Sequence, residues 1–219
     1  MDVSANVEAV RRRIRDAGGE NRVRLVAVTK GFGADAIDAV ARAGVTDIGE
    51  SYAQELSAKR PQVTATGLRW HFVGRVQTNK VRVLAPIVDV WQSVDRPAAG
   101  DEIARRATGA TVLVQVNVSD EVQKGGCHPD ETAALVQQLR GAGLDVAGLM
   151  AVGRAGPPEI VRPGFRLLSR LADELDLPER SMGMTDDLEV AVEEGSTMVR
   201  LGRALFGERP RHQPADVPN

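Results

Sequence analysis

Eight short, strand-like stretches alternate with helix-like stretches from residue 23 to the end of the chain. The clearest are VRLVAVT at 23–29 and TVLVQVNVS at 111–119, which are rich in β-branched residues and almost continuously apolar, like strands buried on both faces of a parallel sheet. The other six lie at 46–50, 69–74, 87–94, 145–153, 180–185 and 196–202. This regular alternation predicts a parallel sheet with helical crossovers.

The count of eight strand–helix units favours a closed barrel. Eight strand–helix units close a (β/α)8 TIM barrel, and about 27 residues per unit suits the compact end of that fold's size range. An open, doubly wound sheet is the rival, but TKGFGAD after the first strand is not the GxGxxG dinucleotide fingerprint. We therefore expect a single α/β barrel over residues 1–207 with an extra N-terminal helix, whose apolar face is Val3, Val7, Val10 and Ile14. The polar segment 208–219 is expected to be a disordered tail.

Charge and cysteine content narrow the range of partners. The 219 residues carry a net charge of −2 and the arginines are spread along the chain, which argues against a nucleic-acid surface. No apolar run approaches the roughly 20 residues that span a bilayer, so no membrane segment is expected. The single cysteine, Cys127, excludes an intrachain disulfide and is typical of a cytoplasmic protein. The three histidines show no metal-ligand spacing.

Lys30 is the first candidate for chemistry, because functional groups of a barrel lie at the carboxyl ends of its strands. It directly follows VAVT, so its amine is expected at the mouth of an apolar pocket, where partial desolvation favours the neutral, nucleophilic form. Lysine is also scarce, since only four of the 28 basic residues are lysines. A solvated loop lysine is the alternative interpretation.

The last two strand ends offer groups suited to a phosphate, which barrels often bind through the loops after strands seven and eight. Hydroxyls, glycine amides and cations come from SMGMTDD and GSTMVRLGRALFG, namely Ser181, Thr185, Ser196, Thr197, Arg200, Gly202 and Arg203. Helix capping by the hydroxyls and a surface ion pair of Arg200 are the alternatives. A lysine on the first strand facing such a cradle indicates an aldehyde-bearing phosphate ester as ligand.

Several long motifs resemble the pyridoxal phosphate homeostasis protein family: VAVTK, IGESYAQEL, WHFVGRVQTNK, VLVQVNVS, GLMAV, SMGMTDD and GSTMVRLGRALFG, in this order. The resemblance implies a barrel like the N-terminal domain of alanine racemase, carrying pyridoxal 5′-phosphate (PLP) as a Schiff base on Lys30. It places Arg200 near the cofactor ring or phosphate. It also implies that the phosphate is surrounded by Ser181, Thr185, Thr197, Gly202 and Arg203.

Three further positions bear on the site. The family motif GENYxQE has Asn where this chain has Ser51, which shortens a side chain directed at the cofactor. Asn79, beside Lys80 at a helix start, is a candidate for binding an anion or the cofactor, with surface solvation as the alternative. His71, in the middle of a strand, is expected to be a packed, hydrogen-bonded core residue rather than an acid–base group.

The resemblance implies a carrier of PLP rather than a catalyst, acting in cofactor homeostasis as a monomer and passing PLP to apo PLP-dependent enzymes. Amino-acid chemistry on this cofactor needs a second acid–base group. Racemases of this type supply a tyrosine from a second domain, whereas this chain has one tyrosine, Tyr52. The alternatives are a weak PLP-dependent racemase or lyase using Tyr52 or His71, and a barrel enzyme in which Lys30 attacks a phosphorylated sugar.

Overall fold

The structure, a computed structural model, describes residues 2–208. Eight parallel strands form a closed barrel in which each strand pairs with the next along the chain and the eighth pairs with the first. This confirms the predicted barrel and excludes the open sheet. The strands are β1 Arg24–Val28, β2 Asp47–Glu50, β3 Arg69–Phe72, β4 Val90–Val94, β5 Thr111–Gln115, β6 Asp145–Met150, β7 Glu179–Ser181 and β8 Met198–Leu201.

Helices follow the strands on the outside of the barrel, and the predicted extra helix precedes them. That helix, α1 Val3–Asp16, packs against α2, α8 and α9 and buries Val7, Val10 and Ile14, as its spacing of apolar residues predicts. The others are α2 Ala34–Arg42, α3 Ala53–Lys59, α4 Thr78–Leu84, α5 Pro97–Arg106, α6 Thr132–Gly141, α7 Arg162–Glu174, α8 Leu188–Glu193 and α9 Arg203–Phe206.

Two buried apolar layers stabilise the barrel. The larger lies between strands and helices, where Ile48, Trp70 and Trp91 are at most 3% exposed. A small second cluster of Val90, Leu113 and Met150 is separate from it, as residues on the opposite, inner face of the strands must be. Because successive strand residues point to opposite faces of the sheet, β4, β5 and β6 contribute residues to both layers, which explains apolar runs such as TVLV in β5.

Two predicted segments differ from the structure or lie beyond it. The stretch 111–119 ends regular strand pairing at Gln115, and Val116 then forms an isolated bridge with Cys127, which turns the rest of the stretch into a loop. The predicted tail, apart from Glu208, lies outside the described residues. Within residues 2–208, no helix has the length and apolar character needed to cross a membrane.

Candidate functional site

A cavity of about 430 Å³ opens at the carboxyl ends of the strands, where barrels carry their functional groups. Its walls include the inner-layer residue Met150 and the loops that follow β1, β2, β7 and β8. A second cavity, of about 320 Å³, lies at the amino ends of β1 and β2 and is lined by none of the predicted site residues. Six of those residues line the first cavity: Lys30, Ser51, Thr185, Arg200, Gly202 and Arg203.

Lys30 lies where β1 ends and the chain turns out of the barrel. Thr29 before it is fully buried, and its amide donates to the Gly49 carbonyl of β2 at 3.0 Å, which ties this strand end to the sheet. Gly31 after it has φ of 82°, in the left-handed region that glycine adopts readily, so the chain can turn immediately. The half-buried Lys30 therefore reaches the cavity from a fixed strand end.

Arg200 on β8 brings a buried positive charge to the cavity. One Nη donates to the Ser181 carbonyl and hydroxyl, both at 2.7 Å, and the other donates to the Ala151 carbonyl at 2.7 Å. Burial lowers the pKa of Arg200 to about 10, although the nearby charge of Asp187 opposes this fall. The guanidinium remains cationic at neutral pH, and the three oxygens that accept its hydrogen bonds are neutral, so it is well placed to receive an acceptor or anionic group of a ligand.

A chain of hydrogen bonds runs through the barrel interior from Arg200. Ser181 Oγ accepts from Arg200 and donates to Gln92 Oε1 at 2.6 Å, and Gln92 Nε2 lies 2.7 Å from His71 Nδ1. His71 Nε2 lies 2.8 Å from Asp47 Oδ1 at the amino end of β2. Because a carboxylate only accepts, His71 carries its proton on Nε2, and every bond then donates in the same direction.

Burial also lowers the pKa of His71, and its hydrogen bond to Asp47 only partly offsets this effect. The imidazole is fully buried and does not line the cavity. The predicted role of His71 as a packed, hydrogen-bonded core residue is therefore the one that the geometry supports.

The loops after β7 and β8 meet on one side of the cavity. Thr185 Oγ1 accepts from the Ala204 amide at 3.3 Å, which connects the two loops. A Cβ on Gly202 would stand 3.0 Å from the Val28 carbonyl, so a glycine lets this backbone lie close against β1. The exposed Arg203 pairs with Asp186. A hydroxyl, a closely approaching backbone and the Arg203 cation therefore line the same cavity as Lys30.

The family model described as the N-terminal domain of alanine racemase matches residues 2–210. A pyridoxal phosphate homeostasis protein of Aquifex aeolicus is 40% identical, over 94% of this chain and 96% of that protein. The chain belongs to the pyridoxal phosphate homeostasis protein family. A second member, from Pseudomonas aeruginosa, is 38% identical over 97% of this chain and 98% of its own length.

A solved structure supports the same relationship. PipY of Synechococcus elongatus, determined with PLP bound, superposes with a TM-score of 0.78 at 29% sequence identity, covering 90% of this chain and all of the PipY chain. The family model and this solved structure thus agree on the fold and on the family.

The structure does not bring all residues predicted from the pyridoxal phosphate homeostasis motifs to this cavity. Thr197 precedes β8 at the opposite end of the barrel, where its hydroxyl donates to Glu179 and accepts from the Arg180 amide. Ser196 lies beside it and is fully buried. A hydroxyl that precedes β8 lies at the opposite rim from the loop that follows β8, so Thr197 does not share the cavity with Gly202 and Arg203.

Two other predicted residues have different positions from those expected. Asn79 is exposed in the first turn of α4 and does not line the cavity. Ser181 is fully buried and does not line the cavity, but its carbonyl and hydroxyl accept hydrogen bonds from Arg200, which does. Similarity to the family motifs therefore identified both residues, but it did not show that Asn79 is exposed or that Ser181 is buried.

Proposed function

We propose that this chain binds PLP and holds its aldehyde carbon on Lys30 as a Schiff base. The observation that carries the proposal is that Lys30 and the buried cation Arg200 open into the same cavity, beside Thr185, Gly202 and Arg203. The named relatives are pyridoxal phosphate homeostasis proteins, and PipY binds PLP in its solved structure.

The residues present fit such a ligand. An amine is the group that condenses with an aldehyde, while a hydroxyl, close backbone and a cation suit a phosphate. The cavity volume also falls within the range of about 300–1,000 Å³ that is usual for small-molecule sites. PLP would supply a reactive carbonyl, and this chain would supply the amine and the groups that hold the remainder.

We further propose that the protein stores and delivers PLP with negligible catalysis. Arg200 placed beside the ring nitrogen would keep that nitrogen unprotonated and so weaken the ring as an electron sink. The two acid–base candidates from the sequence are not placed to transfer a proton to a substrate in the cavity. Tyr52 is 53% exposed, His71 is buried inside the barrel, and neither lines the cavity. The recipients would be apo PLP-dependent enzymes, and the carrier would act as a monomer.

Absorption spectroscopy and reductive labelling test the covalent site. Protein loaded with PLP should absorb in the near-ultraviolet to blue, and borohydride followed by peptide mapping should place the cofactor mass on Lys30. Lys30→Ala should lose both signals. A label that remains on Lys80 or Lys124 in that variant would contradict the assignment.

Transfer and turnover assays test the proposed role. The loaded protein should restore activity to an apo PLP-dependent enzyme, and it should elute as a monomer in light scattering. Rapid racemisation or elimination of amino acids that depends on Lys30 would instead support the weak racemase or lyase.

A further inference from the structure

A second lysine, Lys59 at the end of α3, is buried behind the cavity. Its side chain is 8% exposed, and its ammonium contacts three oxygens: the Thr29 carbonyl at 2.7 Å, Glu50 Oε1 at 2.7 Å and Glu55 Oε1 at 2.5 Å. An ammonium has three N–H donors, so these contacts can occupy all of them. Lysine is almost never fully buried unless it is paired. The three oxygens that Lys59 contacts therefore indicate which parts of the structure it holds in place.

Two of those contacts bracket Lys30. The Thr29 carbonyl belongs to the peptide group immediately before Lys30. The amide of the peptide group immediately after it, that of Gly31, donates to Glu55 Oε1 at 2.5 Å. Both peptide groups that flank Lys30 are therefore tied to one ammonium, the first directly and the second through Glu55.

Glu50 ties the same cluster to the sheet. It is fully buried at the end of β2, and its Oε1 accepts from Lys59 and, at 2.6 Å, from the Thr29 hydroxyl. Its Oε2 is buried without a hydrogen-bond partner. Burial raises the pKa of Glu50, and the bonds from Lys59 and Thr29 oppose that rise. Burial disfavours the charged carboxylate of Glu50, and the hydrogen bonds from Lys59 and Thr29 offset part of that cost.

We propose that Lys59 is a positioning residue for Lys30: with Glu50 and Glu55 it fixes the backbone on both sides of Lys30 and so determines where that amine stands in the cavity. The inference rests on the proposed function, because it concerns Lys30 as the cofactor-binding amine. A displacement of about 1 Å in a reacting group can slow a reaction by about 100-fold. A compact ammonium suits this position better than the planar fork of arginine, since its three donors point to three separate oxygens.

Lys59→Met in the full-length chain tests the proposal. When PLP is added to the cofactor-free protein, we expect Schiff-base formation, followed by absorbance, to be at least about tenfold slower than in the wild type. Glu55→Gln keeps an acceptor for Gly31 but removes the ion pair, so it should give a smaller slowing. Leu56→Ala on the same helix is the control: Leu56 is fully buried, so its truncation should lower the melting temperature without slowing the reaction.

Amide hydrogen exchange of the cofactor-free protein separates this proposal from the proposed function. Lys59→Met should accelerate exchange in a peptide covering residues 29–32, and Leu56→Ala should not. Unchanged exchange and an unchanged rate in folded Lys59→Met would overturn the positioning role, and Glu55→Gln supplies the same comparison if Lys59→Met does not fold. If Lys59→Met accelerates exchange but the wild type never forms the Schiff base, the positioning role of Lys59 would be supported and the proposed function would be refuted.

Discussion

Arg200→Gln separates a ligand-binding role of the buried cation from a structural one. Burial lowers the pKa of Arg200 to about 10, and this net fall from its ordinary value corresponds to a penalty of about 3 kcal/mol on the charged form. The substitution relieves this term but removes three hydrogen bonds to Ser181 and Ala151. Since these effects oppose each other, we expect the free energy of unfolding of the cofactor-free protein to change by no more than about 2 kcal/mol.

Cofactor retention should change much more. Loss of one charge-assisted hydrogen bond to bound PLP would weaken binding by about 1.5–3 kcal/mol, or roughly 10- to 150-fold in Kd. Titration of dialysed protein with PLP, followed by absorbance, measures this ratio directly. Arg22→Gln is the matched control, because Arg22 also donates to backbone carbonyls but lies away from the cavity. A Kd for Arg200→Gln within twofold of the wild type would show that Arg200 is only structural.

Three further perturbations have defined outcomes. Ser51→Asn restores the residue of the family motif at the cavity wall and should strengthen PLP binding by about 0.5–1.5 kcal/mol in the same titration; weaker binding would show that Asn does not fit here. Gly74→Ala places a Cβ 1.9 Å from the Ser51 carbonyl and should destabilise the fold by about 1–3 kcal/mol, seen as a melting temperature several degrees lower. His71 has a lowered pKa when folded, so the stability it contributes is complete above the unfolded pKa of about 6.5 and is lost as pH falls below it. Denaturation at pH 7.5 and 5.5 should therefore show a loss of about 1 kcal/mol in the wild type that is absent in His71→Gln, and equal losses would exclude His71 as its source.

The fold could be predicted because its signal is repeated along the chain. Each strand is buried on both faces, so stretches such as VRLVAVT and TVLVQVNVS stand out as apolar runs, and eight of them leave a closed barrel as the simplest solution. The strand ends were less predictable. The stretch 111–119 keeps its apolar character past Gln115, but pairing to β6 stops there and the chain turns towards Cys127. Apolar character reports burial, and burial continues where strand pairing does not.

The site could be predicted where a residue's position along a strand also fixes its end of the barrel. Lys30 and Arg203 follow their strands and line the cavity, whereas Thr197 precedes its strand and lies at the other end. The motif GSTMVRLGRALFG contains the residues at both ends of β8, so similarity to the motif alone could not show which of them line the cavity. Counting residues from the start of the strand would have done so, because a four-residue strand moves the chain about 13 Å from one rim to the other.

The sequence did not predict the cluster around Lys59 or the chain of hydrogen bonds from Arg200 to Asp47. Polar residues within the strands are the signal that could have indicated them. A polar group inside an apolar barrel is unfavourable unless it finds a hydrogen-bond partner. His71 within RWHF and Gln92 within VWQSV are polar residues at fully buried strand positions, and their side chains meet inside the barrel. In a closed barrel, inward-facing positions of different strands face one another. Polar residues at several such positions are therefore expected to hydrogen-bond to one another. Applied to Ser181 and Arg200 as well, that expectation groups four residues separated by up to 129 positions, and the hydrogen bonds that run from Arg200 through Ser181 and Gln92 to His71 link all four.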